Sequence, residues 1–172
     1  CGTGQQSIEA ALRFPKSKVL AIDLSSSSLA YAIRKTRELN IKNIEYMQAD
    51  ILDMNALDSD FDIIECSGVI HHMQNPLLGW KILTRLLKVG GLMNIGLYSK
   101  IARRNIFLIR KEIAEEKISS ENIAIRSFRE KILSSYKKHH RDLFGMADFF
   151  SLSEVKDLLF HVQEKNFTLP LI

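Results

Sequence analysis

The sequence is poor in cysteine, proline and tryptophan, and it has no long apolar run. Its 172 residues include 2 cysteines, 3 prolines and 1 tryptophan. The two cysteines, Cys1 and Cys66, are too few for a disulfide framework and belong to no Cys/His metal-binding spacing. A membrane-spanning helix needs about eighteen or more uninterrupted apolar residues, and no segment comes close. We therefore expect a soluble, cytoplasmic protein without a membrane span.

What is present is the mixture typical of one globular domain. The composition is 46% hydrophobic and 26% charged, with a formal net charge of +4. The positive charge is concentrated in the basic segment, residues 100–141, which holds twelve Lys or Arg against five Glu. Such a segment either attracts anionic partners or forms the solvated face of helices. We favour solvated helices.

Strand-like and helix-like segments alternate along the first hundred residues. Near-continuous apolar runs predict strands at 18–23, 43–49, 61–67 and 92–98. Helix-type spacing and capping residues predict helices at 5–14, from the serines 25–28 to Leu39, and from Asn75-Pro76 to a stop at Gly90-Gly91. Beyond Lys100 we predict helices at 101–117, at 127–138 and after Ser151. This order predicts an α/β fold with an open, mostly parallel, doubly wound Rossmann-like sheet and a helical C-terminal segment.

Three features lie where an open parallel sheet binds its ligand, at the carboxyl ends of strands. Gly2-Thr3-Gly4 precedes a helix, so that its backbone can approach a ligand closely. Asp23 and Asp50 each end or follow a predicted strand. Each feature also has a simpler explanation, respectively a tight turn, an acid that caps a helix and an ordinary loop acid. Their joint placement favours a ligand site.

Five segments in order resemble the motif set of class I S-adenosylmethionine-dependent methyltransferases. The similarity covers roughly the first hundred residues of the chain. Two features of that family are missing, namely the strand before the glycine loop and the antiparallel pair that completes its sheet, and Val89 stands where many members have proline. The five segments are Cys1-Gly2-Thr3-Gly4, Val19-Leu20-Ala21-Ile22-Asp23, Gln48-Ala49-Asp50, Phe61-Asp62-Ile63-Ile64 and Leu87-Lys88-Val89-Gly90-Gly91.

The resemblance implies that S-adenosylmethionine binds along the strand ends. It implies transfer of a methyl group to an acceptor that the sequence does not identify, and a small molecule is our expectation. A looser resemblance, around residues 157–164, is to methyltransferase domains attached to tetratricopeptide repeats. The implied cofactor contacts are Gly2, Thr3 and Gly4 at the amino-acid portion and sugar, Asp23 with Leu24 at the ribose, Asp50 with Ile51 at the adenine, and Ser67 with Gly68 at the methionine end.

His71 and His72 follow the third predicted strand and are candidate catalytic residues. Either imidazole could orient or deprotonate an acceptor, or both could simply pack beneath their loop. No third ligand is spaced to make this pair a metal site. Tyr98 ends the fourth predicted strand and either shapes an acceptor pocket or packs under the next helix. His139-His140 lies in the basic segment, and we expect both side chains to be exposed.

Three other interpretations remain open. A dinucleotide oxidoreductase would also use the glycines and Asp23, although Ser7 replaces the third glycine of its motif. A catalytically silent cofactor-binding or scaffold domain would keep the same motifs. A nucleic-acid-binding protein would use the basic segment, but this segment lacks the interleaved aromatic residues that single-strand binding requires.

Under every one of these interpretations we divide the chain into two parts. They are a cofactor-binding core, 1–99, and a helical extension, 100–172, and we expect each to be truncated at its outer end.

Overall fold

The computed structural model describes residues 1–58, 60–161 and 163–171. The chain forms two compact units. The first unit is Cys1–Ile64 with Leu77–Met93, and the second unit is Glu65–Pro76 with Asn94–Ile172. Val162, which belongs to the looser of the two resemblances, and Ile172 lie outside the described residues. No described helix has the length and apolar character that crossing a membrane requires.

Helices and strands alternate through residue 99, after which helices dominate. Strands β1 and β2 pair in parallel, β3 pairs with β4, and β5 pairs in parallel with β6. Short 3-10 turns occupy several of the connections. The elements are α1 (Gln5–Arg13), β1 (Val19–Asp23), α2 (Ser26–Glu38), β2 (Ile44–Gln48), β3 (Phe61–Ser67), α3 (Pro76–Arg85), β4 (Leu87–Gly96), β5 (Tyr98–Ser99), α4 (Arg104–Glu115), α5 (Asn122–Leu133), α6 (Lys138–Arg141), α7 (Leu152–Phe160) and β6 (Asn166–Phe167).

Local sequence signals account for the boundaries of α2. The Ser25 hydroxyl accepts a hydrogen bond from the Ser28 N–H at 3.2 Å, which satisfies one of the free donors at the helix start. Asn40 adopts a left-handed backbone with φ of 54°, a conformation that asparagine tolerates better than most residues. The predicted cap and stop of this helix are confirmed.

The predicted stop of α3 at Gly90-Gly91 is wrong. The helix ends at Arg85, and both glycines lie inside β4. The strand is favoured because it starts to pair at once, with the Phe61 N–H donating to the Leu86 carbonyl at 2.8 Å. A Cβ on Gly91 would lie 3.0 Å from the Asp62 carbonyl oxygen, so the glycine permits close approach of β3 and β4.

The core of the first unit lies where α3 and a 3-10 turn meet strands β1, β2 and β3. Met54, Ile82 and Leu86 are buried there, and half-buried apolar residues of the three strands pack against them. In β1 only Ala21 is buried, and its four neighbours in the strand are half-buried. Burial of this cluster removes apolar surface from water and holds the strand ends in place.

The second unit has its own helical core. Helix α5 begins five residues earlier than predicted, because Ile125, Phe128 and Ile132 at helical spacing form its buried face. The two-residue strand β6 was not predicted, since so short a segment carries no periodicity. The buried cluster is Ile106, Ile109, Ile113, Ile125, Phe128, Ile132, Leu143, Phe149, Val155, Leu158 and Leu159.

Candidate functional site

In the first unit, the glycine loop is a tight turn that leads into α1. The Gly4 N–H donates to the Cys1 carbonyl at 3.0 Å, and Gly4 has a left-handed backbone with φ of 89°. A Cβ on Gly4 would stand 2.7 Å from the Cβ of Ala32 on α2. By contrast, Gly2 and Thr3 are exposed. The loop is therefore packed against α2 on one side and open to a ligand on the other.

The Asp23 carboxylate connects this loop to the end of β1. Its Oδ2 accepts from the Gly2 N–H at 2.7 Å and from the Cys1 nitrogen at 3.0 Å, while Oδ1 accepts from the Ser25 N–H at 2.9 Å. Partial burial would raise the pKa of Asp23, but the hydrogen bonds from Ser25 and Gly2 outweigh it and the pKa is lowered. The group is thus a carboxylate at neutral pH.

Asp23 keeps room for a further donor. An ionised carboxylate accepts about four hydrogen bonds, and three donors among the described residues reach this one. The remaining position is on Oδ1. The arrangement suits direct contact with one hydroxyl of a diol, and a second hydroxyl would have to share or replace a donor at Oδ2.

Asp50 lies at the same edge of the parallel pair as Asp23. The register pairs Asp23 with Gln48, two residues before Asp50. Asp50 Oδ1 accepts from the Leu52 N–H at 2.9 Å, which closes a local turn. Of the two apolar neighbours predicted to touch a cofactor, Ile51 is buried and Leu24 is 65% exposed. Leu24 therefore offers the more accessible apolar surface.

The remaining predicted site residues, Ser67, Gly68, His71, His72 and Tyr98, belong to the second unit. Ser67 and Gly68 are exposed at the end of β3. A Cβ on Gly96 would lie 2.3 Å from the Ser67 hydroxyl oxygen, so this serine is held against a glycine of β4.

Four rings form what we term the histidine cluster, namely His71, His72, Tyr98 and His161. The His71 ring lies 4.0 Å from the Tyr98 ring and 4.1 Å from the His72 ring, measured between centroids. The His72 ring stacks on His161 at 3.8 Å. The two rings thus contact each other, and each also has a partner of its own, Tyr98 for His71 and His161 for His72.

His71 is the buried member of the cluster. Its side chain is 0% exposed, and neither ring nitrogen has a well-formed hydrogen bond within the described residues. Burial, and then the charge of the neighbouring His72, lowers the pKa of His71 to about 4. His71 is therefore neutral at physiological pH and has the contacts of a packing residue.

His72 has the geometry of a base. Its Nδ1 lies 2.8 Å from the Gln163 carbonyl oxygen, an atom that only accepts hydrogen bonds. In the neutral ring Nδ1 must therefore carry the proton, which leaves the lone pair on Nε2. The side chain is half-buried. Of the two histidines predicted as catalytic candidates, His72 is half-buried and has one ring nitrogen held by a carbonyl, and its catalytic role stays a prediction.

Charged residues that come later in the sequence contact the histidine cluster. The Arg103 guanidinium lies 3.6 Å from the centre of the Tyr98 ring and donates to Glu164 Oε2 at 2.9 Å. Arg110 also donates to that oxygen, at 3.1 Å, and to the His161 carbonyl. The Glu164 side chain is 3% exposed. It is a buried carboxylate paired with two guanidinium groups, which together hold His161 and Tyr98 in position.

A cleft of about 360 Å³ opens beside Tyr98 in the second unit. Its wall combines the phenol and Leu158 with three carboxylates and a hydroxyl. Burial raises the pKa of Tyr98, so its phenol stays protonated and can donate a hydrogen bond. The size is in the range of small-molecule sites. The residues that complete the wall are Asp148, Ser153, Glu154 and Asp157.

Sequence reasoning missed four residues of this region, namely Gly96, Arg103, His161 and Glu164. No local signal distinguishes them, because each acts through a contact with a residue far away in the chain, such as the Arg103–Glu164 pair 61 positions apart. The prediction that His139 and His140 are both exposed is also wrong, since His140 is buried.

A methyltransferase domain family matches residues 1–157, most of the chain. This chain belongs to that family. The prediction of a class I methyltransferase is confirmed, and the alternative of a dinucleotide oxidoreductase is not supported.

Three known proteins illustrate the relationship of this methyltransferase domain. The demethylmenaquinone methyltransferase of Porphyromonas gingivalis is 34% identical over 91 residues, which are 52% of this chain and 37% of that protein. PKMT2 from Rickettsia typhi has a TM-score of 0.72 at 20% identity, covering 97% of this chain and 34% of its own. An S-adenosylmethionine-dependent methyltransferase from Clostridium acetobutylicum has a TM-score of 0.51 at 27% identity, covering 58% of this chain and 40% of its own.

These similarities confirm the predicted α/β methyltransferase fold with its helical C-terminal region. PKMT2 has also been solved in complex with AdoHcy, and that structure matches at a TM-score of 0.67 and 18% identity. The chain spans about a quarter to two fifths of the length of the curated relatives it matches.

Proposed function

We propose that this methyltransferase domain binds S-adenosylmethionine in its first unit and transfers the methyl group to a small-molecule acceptor. The observation that carries the proposal is the Asp23 carboxylate, which holds the glycine loop through the Gly2 N–H at 2.7 Å and keeps one acceptor position on Oδ1. Family membership and the cofactor named for the Clostridium relative support the same cofactor here.

The residues of the first unit suit the parts of that cofactor. Asp23 Oδ1 accepts a ribose hydroxyl, and the open face of Gly2 and Thr3 approaches the sugar and the amino-acid portion. Asp50 keeps its Oδ2 for the adenine amino group, and the exposed Leu24 covers the adenine face. Contacts from Gly4, Ile51, Ser67 and Gly68 stay predictions of the family resemblance.

The bound cofactor supplies an electrophilic methyl group on a good leaving group, so the protein has chiefly to position the acceptor. Within the second unit, the cleft beside Tyr98 has polar and apolar residues that suit an acceptor. A nitrogen or oxygen acceptor would give up one proton on methylation, which calls for a base. His72 Nε2 takes the proton that the acceptor loses, with its Nδ1 held by the Gln163 carbonyl. The carboxylates of the cleft favour an acceptor with hydrogen-bond donors or positive charge.

Calorimetric titration with S-adenosylmethionine tests the cofactor site. We expect saturable binding that Asp23→Ala weakens at least about tenfold, since it removes a hydrogen bond to a charged group and loosens the loop. Asp62→Ala is the matched control, because Asp62 is an exposed strand acid paired with Lys88. No binding to the folded wild-type protein would contradict the proposal and favour a silent scaffold domain.

A screen of candidate acceptors with radiolabelled cofactor tests the acceptor side. We expect turnover with a small molecule and a fall in kcat of about a hundredfold or more for His72→Gln. His71→Gln should retain kcat in whatever fraction of the protein folds. Equal effects of the two substitutions on kcat would contradict the role of His72.

A further inference from the structure

Outside the proposed active site, one carboxylate joins two histidines and a lysine in the second unit. Glu112 lies on α4, and His139 and His140 lie on α6. His139 Nε2 is 2.8 Å from Glu112 Oε1, and His140 Nε2 is 2.8 Å from Glu112 Oε2. The three possible ligand atoms all lie within 4.8 Å of one another. Two imidazoles and a carboxylate therefore converge on one point.

The group is largely removed from water. His140 is 1% exposed, and its Nδ1 is buried without a hydrogen-bond partner among the described residues. Because a carboxylate oxygen only accepts hydrogen bonds, each histidine Nε2 donates to Glu112 when no ion is bound. A metal ion bound to Nε2 would require Nδ1 to carry the proton of each neutral ring.

We propose that Glu112, His139 and His140 form a site for Zn²⁺ or a similar divalent transition-metal ion. Two imidazole nitrogens and one carboxylate oxygen are a common zinc donor set, with water as the fourth ligand, whereas Mg²⁺ and Ca²⁺ prefer oxygen alone. Ligand atoms in a tetrahedral zinc site are about 3.3 Å apart at bond lengths near 2.0 Å. The present 2.8 Å separations need to lengthen by about half an ångström, which side-chain rotation can supply.

Lys137 competes with the ion for the same carboxylate. Its Nζ lies 2.8 Å from Glu112 Oε1, the oxygen that also faces His139. The lysine side chain is exposed, so it can swing into solvent when a cation arrives. Before an ion binds, the ammonium group of Lys137 neutralises the Glu112 carboxylate. Replacing this lysine with a neutral residue should therefore make the site bind the ion more tightly.

A second group of possible ligands, His72, Asp157 and His161, is less suited to a metal ion. His161 Nδ1 accepts from the Gln163 N–H at 3.3 Å, so the proton of the neutral ring is on Nε2, the atom that faces Asp157 at 4.0 Å. Asp157 is exposed. Because His161 Nδ1 already accepts a hydrogen bond, it cannot take up the proton that Nε2 would have to release to bind an ion. The group also lacks a buried carboxylate, and it serves as an internal control.

The test is calorimetric titration of the chelator-treated protein with ZnCl₂ at pH 7.5, with Co²⁺ absorption as a report of tetrahedral nitrogen and oxygen ligands. We expect one ion per chain. Glu112→Gln and His139→Gln should each weaken binding at least about a hundredfold, since even residues that only support a ligand are worth about 10–100-fold. His161→Asn should leave binding unchanged.

The lysines give a matched pair. Lys137→Met should tighten zinc binding several-fold, because Lys137 donates to Glu112. The neighbouring Lys138→Met should not, because Lys138 makes no hydrogen bond or ion pair with Glu112 among the described residues. Circular dichroism checks that each variant folds. If Glu112→Gln does not fold, the zinc affinity of His139→Gln tests the proposal. The proposal is overturned if the wild-type protein binds no zinc, or if folded His139→Gln binds it as tightly as the wild type does.

Discussion

The two units of the molecule build their functional residues in different ways. In the first unit, the glycine loop, Asp23 and Asp50 are organised by the backbone, through a tight turn and the parallel register of β1 and β2. In the second unit, the histidine cluster and its charged frame are organised by side chains that are far apart in sequence, such as His72 and Gln163, 91 positions apart. The Gly2–Asp23 contact of the first unit joins residues 21 positions apart, whereas the His72–Gln163 contact of the second joins residues 91 positions apart.

This difference predicts how each region fails. A backbone-organised site should be sensitive to changes in glycine and cap residues and tolerant of most side-chain changes elsewhere. A site held by side chains should collapse when one buried partner is removed, because the remaining charges or rings lose their positions. Four measurements of stability test this difference between the two units.

The largest effect should come from Glu164→Gln in the second unit. This change leaves Arg103 and Arg110 without their shared carboxylate in a buried setting, and breaking such a pair costs about 3–5 kcal/mol. Urea denaturation measures the free energy of unfolding. The control is Glu116→Gln, which removes an exposed partner of Lys131 and should cost less than about 1 kcal/mol. Equal losses in the free energy of unfolding for the two variants would mean that the buried ion pairs of Glu164 do not stabilise this unit.

The next effect is a pH dependence from His71. Its pKa is about 4 in the folded protein against about 6.5 in an unfolded chain. Between these values the unfolded chain binds a proton that the folded chain does not, so the free energy of unfolding falls as pH falls from about 6.5 to 4. The total is roughly 3 kcal/mol. Stability measured against pH should show a shallower fall for His71→Gln, and an unchanged slope would contradict the assignment.

Gly4→Ala tests the backbone of the first unit. The added Cβ would lie 2.7 Å from Ala32 Cβ and 3.3 Å from its Cα, at a φ of 89° that alanine rarely adopts. We expect a loss of about 2–3 kcal/mol in the free energy of unfolding. Gly2→Ala also has positive φ but no neighbour within 4 Å, and it should cost about 1 kcal/mol. Similar values for the two would show that packing on α2 does not fix the loop.

The smallest effect compares two serines in the same helix position. Ser25 caps α2 through a hydrogen bond from the Ser28 N–H, whereas Ser151 precedes α7 without a side-chain cap bond. Ser25→Ala should reduce the free energy of unfolding by about 1 kcal/mol, and Ser151→Ala by less than about 0.5 kcal/mol. Thermal melting of both variants measures the difference. The reverse order would contradict local capping as a source of stability in the first unit.

Sequence analysis predicted the first unit better than the second. Strands β1, β2 and β3 and helices α1 and α2 were placed within about two residues, because their apolar runs and caps are signals carried by neighbouring residues. The stop at Gly90-Gly91 failed because pairing with β3 turns the segment from Leu87 onward into a strand. In the second unit, α5 was displaced and β6 was absent from the prediction.

The histidines show why the rest of the site was out of reach. His71 and His72 are alike in sequence, yet one is buried without a hydrogen-bond partner among the described residues and the other is fixed in one tautomer by Gln163. His140 is buried within a segment whose charge predicts exposure, because Glu112 on another helix pairs with it. Burial and partner choice depend on which helices meet, and no spacing of residues encodes that directly.

The family, the alternation of strands and helices, and the residues at the ends of β1 and β2 could be predicted from the amino-acid sequence. These follow from local backbone preferences and from the order of motifs along the chain. Tertiary contacts alone show that His71 is buried while His72 bonds to Gln163, that Glu164 is buried with two arginines, and that His139 and His140 meet Glu112. The reason is physical, since desolvation and hydrogen-bond geometry arise from contacts between segments that the chain brings together only when it folds.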